Sequence, residues 1–134
     1  MKKKKKKIES KYIQIHLNIY KCTVLVTWEQ DIDKIIKYAI RHGCKIKPDW
    51  KGVFTTHAEK AAGVCITLGE DNTDCLVWLK ERPLKASQYG CLYHELYHAV
   101  DHIAESHAMS MDEKESRAYM FEYLVNRCNQ ILWN

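Results

Sequence analysis

Five consecutive residues in the last third of the chain carry its clearest chemistry, His94-Glu95-Leu96-Tyr97-His98. A separation of four residues places both imidazoles on one face of an α-helix. Two neutral imidazoles in that arrangement can each give a ring nitrogen to one Zn²⁺, while Glu95 projects beside them as a general base for a water molecule. The pattern therefore predicts a zinc site with two ligands and a base on one helix.

The sequence around this motif favours a helix. No proline occurs between Ser87, a predicted N-cap, and Ala104. Apolar residues recur at helical spacing along the segment: Leu92, Leu96, Ala99 and Ile103. This stripe lies roughly opposite the two histidines, so we expect a buried helix over residues 88–104 that presents them to one side. The competing interpretation is a core helix whose histidines are merely hydrogen-bonded.

A zinc ion held by a protein needs at least one further ligand. His102 continues the four-residue series, but it lies about 12 Å along the helix axis from His94, too far for one ion to bind both. The next helix, predicted to begin at the capping-box sequence of residues 110–113, offers Glu115 in its first turns. Glu122, one or two turns further on, is the competing ligand, and we favour Glu115.

These residues resemble a known class of enzyme. Residues 94–100, followed by a glutamate on the next helix, resemble the gluzincin branch of zinc metallopeptidases, to which thermolysin belongs. Residues 115–119 are similar to the E-x-x-A segment of small zincins from phages and mobile elements and of the minimal gluzincins. The resemblance covers roughly residues 75–126. It implies one Zn²⁺ per chain, a peptide or protein substrate, and the following site: His94, His98 and Glu115 as ligands, with Glu95 as general base.

The resemblance is incomplete next to the predicted ligands. Thermolysin-like enzymes carry an aspartate four residues after the ligand glutamate, where this chain has Tyr119. We therefore expect Asp101, or a backbone carbonyl, to orient a ligand histidine. A donor for the oxyanion of the reaction is also expected. The candidates for this donor are Tyr119, Tyr97, His102 and His107.

The first half of the chain predicts a sheet and a helix. Alternating apolar residues between Tyr12 and Trp28 predict two antiparallel strands that turn near residues 20–21. Apolar residues at helical spacing over residues 32–40 predict a helix, capped by Thr27 with Gln30 and ended by Gly43.

The middle of the chain predicts a hairpin. Two β-rich runs, 64–68 and 75–79, flank a turn sequence. Residues 44–62 are predicted to form a loop or irregular crossover that overhangs the site. The fold class is thus α+β and zincin-like: a small, mainly antiparallel sheet packed against the HExxH helix and the C-terminal glutamate helix, plus one N-terminal helix. By analogy with zincin-like folds, the strand over residues 75–79 is the expected edge strand for a substrate peptide.

Composition sets the domain organisation and the remaining alternatives. We predict a basic flexible tail at residues 1–11 and a single metallopeptidase domain at residues 12–134. Without the run from Lys2 to Lys7 the chain has 15 basic against 17 acidic residues, so its positive charge comes from this run. The run offers weak contact with nucleic acid or an anionic surface, or it is a solvated tail.

The expected location is the cytoplasm, or the host cytoplasm if the source is a phage. The six cysteines form no C-x-x-C pair, which favours reduced thiols in an intracellular protein, and no segment is long enough to span a bilayer. Two alternatives to a peptidase remain open. One is a non-catalytic zinc or partner-binding protein on the same scaffold, and the other is a nucleic-acid-associated protein that uses the lysine run.

Overall fold

The computed structural model describes residues 10–70, 74–107 and 113–133. The elements follow in the order β1 (Tyr12–Leu17), β2 (Cys22–Thr27), α1 (Ile32–Arg41), α2 (Trp50–Ala58), β3 (Gly63–Thr67), β4 (Cys75–Leu79), α3 (Ala86–Ser106) and α4 (Lys114–Leu132). The predicted α+β class is confirmed. The lysine run, the tip of the predicted β3–β4 turn and the start of the predicted capping box lie outside the described residues.

The four strands form one mixed sheet in the order β1-β2-β4-β3. β1 and β2 are antiparallel, as are β3 and β4, whereas β2 and β4 are parallel. Two of the three pairings therefore agree with the predicted antiparallel sheet. β4 has a neighbour on each side, so the expectation that residues 75–79 form the edge strand is wrong. The edge strand on this side of the sheet is β3.

Helices cover both faces of the sheet. Side chains alternate between the two faces along each strand, so each face carries apolar residues that a helix can bury. Val24 and Val77 face α3 and α4 in one apolar core. Leu25 and Leu76 face α1 and α2 in the other. The central strands are consequently buried on both faces, which explains why β2 and β4 consist of buried residues throughout.

The α2 helix corrects the prediction of a loop over residues 44–62. Its buried side chains are Trp50 and Phe54, four residues apart, and Phe54 packs edge-to-face on Trp78 with ring centroids 5.6 Å apart. Two large apolar side chains anchor a helix that the sequence pattern did not indicate. Because α2 lies on the sheet face opposite α3, this segment does not overhang the histidines.

The helix ends differ in detail from the predicted ones. Asp31 caps α1 by accepting hydrogen bonds from the amides of residues 33 and 34, in place of Thr27 with Gln30. Gly43 follows the helix with φ +85°, as expected for a residue that ends it. The N-cap of α3 is Lys85 instead of Ser87, and the Gln88 side chain accepts from the amide of Lys85.

Three contacts define how α4 lies against α3. The Tyr93 hydroxyl donates to the Asn129 side chain at 2.8 Å, and Arg117 donates to Asp101 at 2.9 Å. Between them, a pair of rings joins the helices, Tyr97 with Phe121. Increasing residue numbers on α3 meet decreasing numbers on α4, so the two helices run antiparallel.

Candidate metal centre

His94 and His98 project from the exposed side of α3 with their rings close together. Their Nε2 atoms are 3.2 Å apart, and the rings meet edge-to-face with centroids 4.8 Å apart. Two zinc–nitrogen bonds of about 2.0–2.1 Å at a tetrahedral angle require nitrogens about 3.3 Å apart. The observed separation therefore fits two ligands of one Zn²⁺. It also fits a hydrogen bond from one imidazole to the other.

Glu95 completes a group of three potential ligands. In the described part of the chain, the set of three or more ligand atoms within 4.8 Å of one another consists of His94, Glu95 and His98. The two imidazoles are exposed, whereas Glu95 is buried, with 6% of its surface accessible. The predicted base thus occupies a different environment from the predicted ligands, on the flank of α3 that faces the sheet.

Gly63 at the start of β3 sets the distance between this strand and Glu95. A Cβ atom at Gly63 would lie 2.8 Å from the Cys91 Sγ and 3.2 Å from the Glu95 Cγ. The missing side chain therefore lets the edge strand lie directly against the helix that carries the motif. Burial, and then the Glu95 carboxylate, raise the pKa of the Cys91 thiol, so this thiol stays protonated at neutral pH.

We expect Gly63→Ala to disturb Glu95 without touching the histidines. The added methyl group overpacks the contact between β3 and α3, which costs about 1–3 kcal/mol of stability. Because Glu95 must also shift, we expect about a tenfold loss of the proteolysis proposed below, at unchanged zinc content. Urea denaturation and a peptidase assay measure the two effects.

The matched control is Gly90→Ala, on α3 itself, where an added Cβ meets no atom within 4 Å. This variant should match or exceed the stability of the parent, because alanine is the better helix former. A parental urea midpoint for Gly63→Ala would show that the strand and helix do not need this close approach.

The structure leaves the third ligand open. Neither Glu115 nor Glu122 belongs to the group formed by His94, Glu95 and His98 within the described ranges, and both are exposed. Glu122 directly follows Phe121, which contacts Tyr97 on α3. The backbone of Glu122 therefore lies near the histidine pair in position along the helix axis. Glu115 precedes Phe121 by six residues, about 9 Å along α4. Its assignment as a ligand stays a prediction, and the axial position of Glu122 supports the alternative.

Asp101 and Tyr119, the two residues predicted to assist the site, make contacts with other parts of the molecule. Asp101 accepts its hydrogen bond from Arg117, so it joins α3 to α4. Tyr119 is 67% exposed and lines a groove between α4 and the β1–β2 turn, together with Ile19 and Tyr123. The side of α4 that meets α3 carries Arg117 and Phe121. We therefore do not retain Tyr119 as an oxyanion donor.

The other candidate donors also lie outside the group of three. The ring nitrogens of His107 are 2.9 Å from the carbonyl oxygen of Ile103 and 3.1 Å from that of Tyr20, which gives His107 a structural role. Tyr97 packs on Phe121. Sequence reasoning missed Gly63 and Cys91, although a lone glycine at the start of a β-rich run signals close backbone approach.

Comparison with protein-family models, with curated proteins and with solved structures finds no match for this chain. Across the described residues, no helix has both the length and the apolar character needed to cross a membrane.

Proposed function

We propose that the chain is a zinc-dependent metallopeptidase of the gluzincin type. The observation that carries this proposal is the 3.2 Å separation of the His94 and His98 Nε2 atoms, with buried Glu95 between them in sequence. These two imidazoles would hold Zn²⁺ together with a carboxylate from α4. When bound, the ion would polarise a peptide carbonyl and lower the pKa of a water molecule.

Glu95 acts as the base in this proposal. It takes a proton from the attacking water and delivers it to the nitrogen of the leaving amine. Its side chain is buried and lies beside Gly63, where an added Cβ atom would come within 3.2 Å of the Glu95 Cγ. A carboxylate held in this way loses little freedom when it acts, which favours catalysis.

The β3 strand offers a place for the substrate. Among the described strands it pairs with β4 alone, so its outer edge presents backbone donors and acceptors. An extended peptide can add to such an edge as a further strand. Because Gly63 places β3 against Glu95, a peptide bound there would pass beside the histidines. This supports an extended or unfolded protein as the substrate.

Cleavage of an unfolded protein in the presence and absence of zinc tests the function. The full chain, purified without chelator, should degrade fluorescein-labelled casein. Activity should disappear after treatment with 1,10-phenanthroline and dialysis, and return with Zn²⁺ but not with Mg²⁺. Cleavage that survives removal of all metal would contradict the proposal.

One observation favours a second candidate, a protein that binds zinc without hydrolysis. The group of three contains two imidazoles and Glu95 but no carboxylate of α4 in the described residues. Bound zinc with no proteolysis by the parent would support this candidate. For either function we propose a reducing location such as the cytoplasm, which the six free thiols support.

A further inference from the structure

The two helical layers of the molecule differ in charge. Residues 31–60, which contain α1 and α2, have seven basic and four acidic side chains. Residues 81–107 and 113–133, the described ranges that contain α3 and α4, have five basic and seven acidic side chains. Because the layers lie on opposite faces of the sheet, the molecule has a basic side and an acidic side, and the candidate metal centre belongs to the acidic side.

Three cations form a stripe along α1, which we name the cationic stripe: Lys34, Lys37 and Arg41. Spacings of three and four residues place them on one face of the helix, over about 10 Å. All three are exposed, and none forms an ion pair with another described residue. Asp33, the acidic residue within this helix, is already paired with Lys51 at 3.0 Å.

A stack of flat rings lies beside the cationic stripe. Tyr12 and Tyr38 are parallel, with centroids 3.9 Å apart, and the ring of His42 lies 4.2 Å from that of Tyr38, tilted by 35°. Tyr38 and His42 each follow a member of the stripe in sequence, so the stack occupies the neighbouring face of α1. His42 is exposed and ends the stack. A further planar ring can therefore continue it.

We infer that the stripe and this aromatic stack form a binding surface for single-stranded nucleic acid. Phosphates pair with cations, and unpaired bases stack on aromatic side chains in a largely sequence-independent way. A duplex offers the phosphates without free base faces, and an anionic membrane makes no use of stacked rings. The surface is independent of the proposed peptidase site.

Fluorescence anisotropy with a labelled 20-nucleotide oligo-dT strand tests this surface. The full chain should bind the single strand more tightly than the same strand annealed to oligo-dA. The variant K34Q/K37Q/R41Q should bind about tenfold more weakly. The slope of log K against log salt concentration should decrease in magnitude by about two, at roughly 0.7 per phosphate contact. His42→Ala should weaken single-strand binding about fivefold and leave duplex binding unchanged.

A matched variant controls for net charge. K85Q/K114Q/R127Q removes three exposed cations from the acidic layer and should bind like the parent. An equal loss of oligo-dT affinity in this control would contradict the proposed surface, as would no binding of oligo-dT by the parent. If replacement of the six lysines at 2–7 by glutamine removes all binding while K34Q/K37Q/R41Q binds normally, the tail alone is responsible. Binding to phosphatidylserine vesicles that needs the stripe, without binding to oligo-dT, would identify a membrane surface instead.

Discussion

Replacing Glu95 with glutamine is expected to lower proteolysis by about two to four orders of magnitude, the usual contribution of a general base, and to leave the zinc content unchanged. Glutamine keeps the shape that packs against Gly63 and Cys91 but cannot take a proton from water. The measurements are kcat/KM on an internally quenched peptide and metal content by plasma mass spectrometry. A loss of activity at full zinc content assigns the base.

The control is Glu105→Gln, an exposed carboxylate further along the same helix, which should behave like the parent. A Glu95→Gln variant that cleaves as fast as the parent would make the proposed mechanism wrong. Loss of zinc together with activity would instead assign Glu95 as a ligand, because all three residues of the group lie within reach of one ion.

His94→Ala and His98→Ala are each expected to lower zinc affinity by more than about a hundredfold. Loss of a residue that merely orients a ligand already costs about 10–100-fold, and loss of the ligand itself costs more. Competition against a chromophoric zinc chelator measures the affinity. His102→Ala is the matched control, because His102 lies one turn beyond His98 on α3 and should bind zinc like the parent. If either His94→Ala or His98→Ala bound zinc with the affinity of the parent, the proposed zinc site would be wrong.

The same titration decides the third ligand. Glu115→Gln and Glu122→Gln change equivalent exposed carboxylates on one helix, so each serves as the control for the other. We expect one of them to lose zinc as His94→Ala does and the other to match the parent. Parental affinity in both variants would exclude Glu115 and Glu122 as the third ligand and leave Glu95 as the remaining candidate in the group of three.

Local sequence patterns predicted most of the elements and the central motif. The hairpin of β1 and β2 follows from apolar residues at every second position, and α1 follows from apolar residues at helical spacing. The histidine pair was predictable for the same reason, because both residues and Glu95 belong to one helix. Its geometry depends on the helix alone.

Features that depend on contacts between distant segments were not predictable. The parallel pairing of Val24 with Cys75 makes β4 a central strand, and no local pattern encodes it. The α2 helix depends on two side chains, Trp50 and Phe54, that pack against residues distant in sequence on the sheet face that α2 covers. The third ligand depends on how α4 docks along α3, which the sequence of neither helix specifies.

The α3 helix is held in place by seven buried residues, of which Glu95 alone belongs to the candidate metal centre. Zinc fingers, by contrast, unfold when the metal is removed, because the ion replaces their core. Here both imidazoles project from a scaffold that is complete without the ion, so binding requires little additional ordering of the chain. The proposed enzyme would then lose and regain its metal without passing through the unfolded state that quality-control proteases degrade.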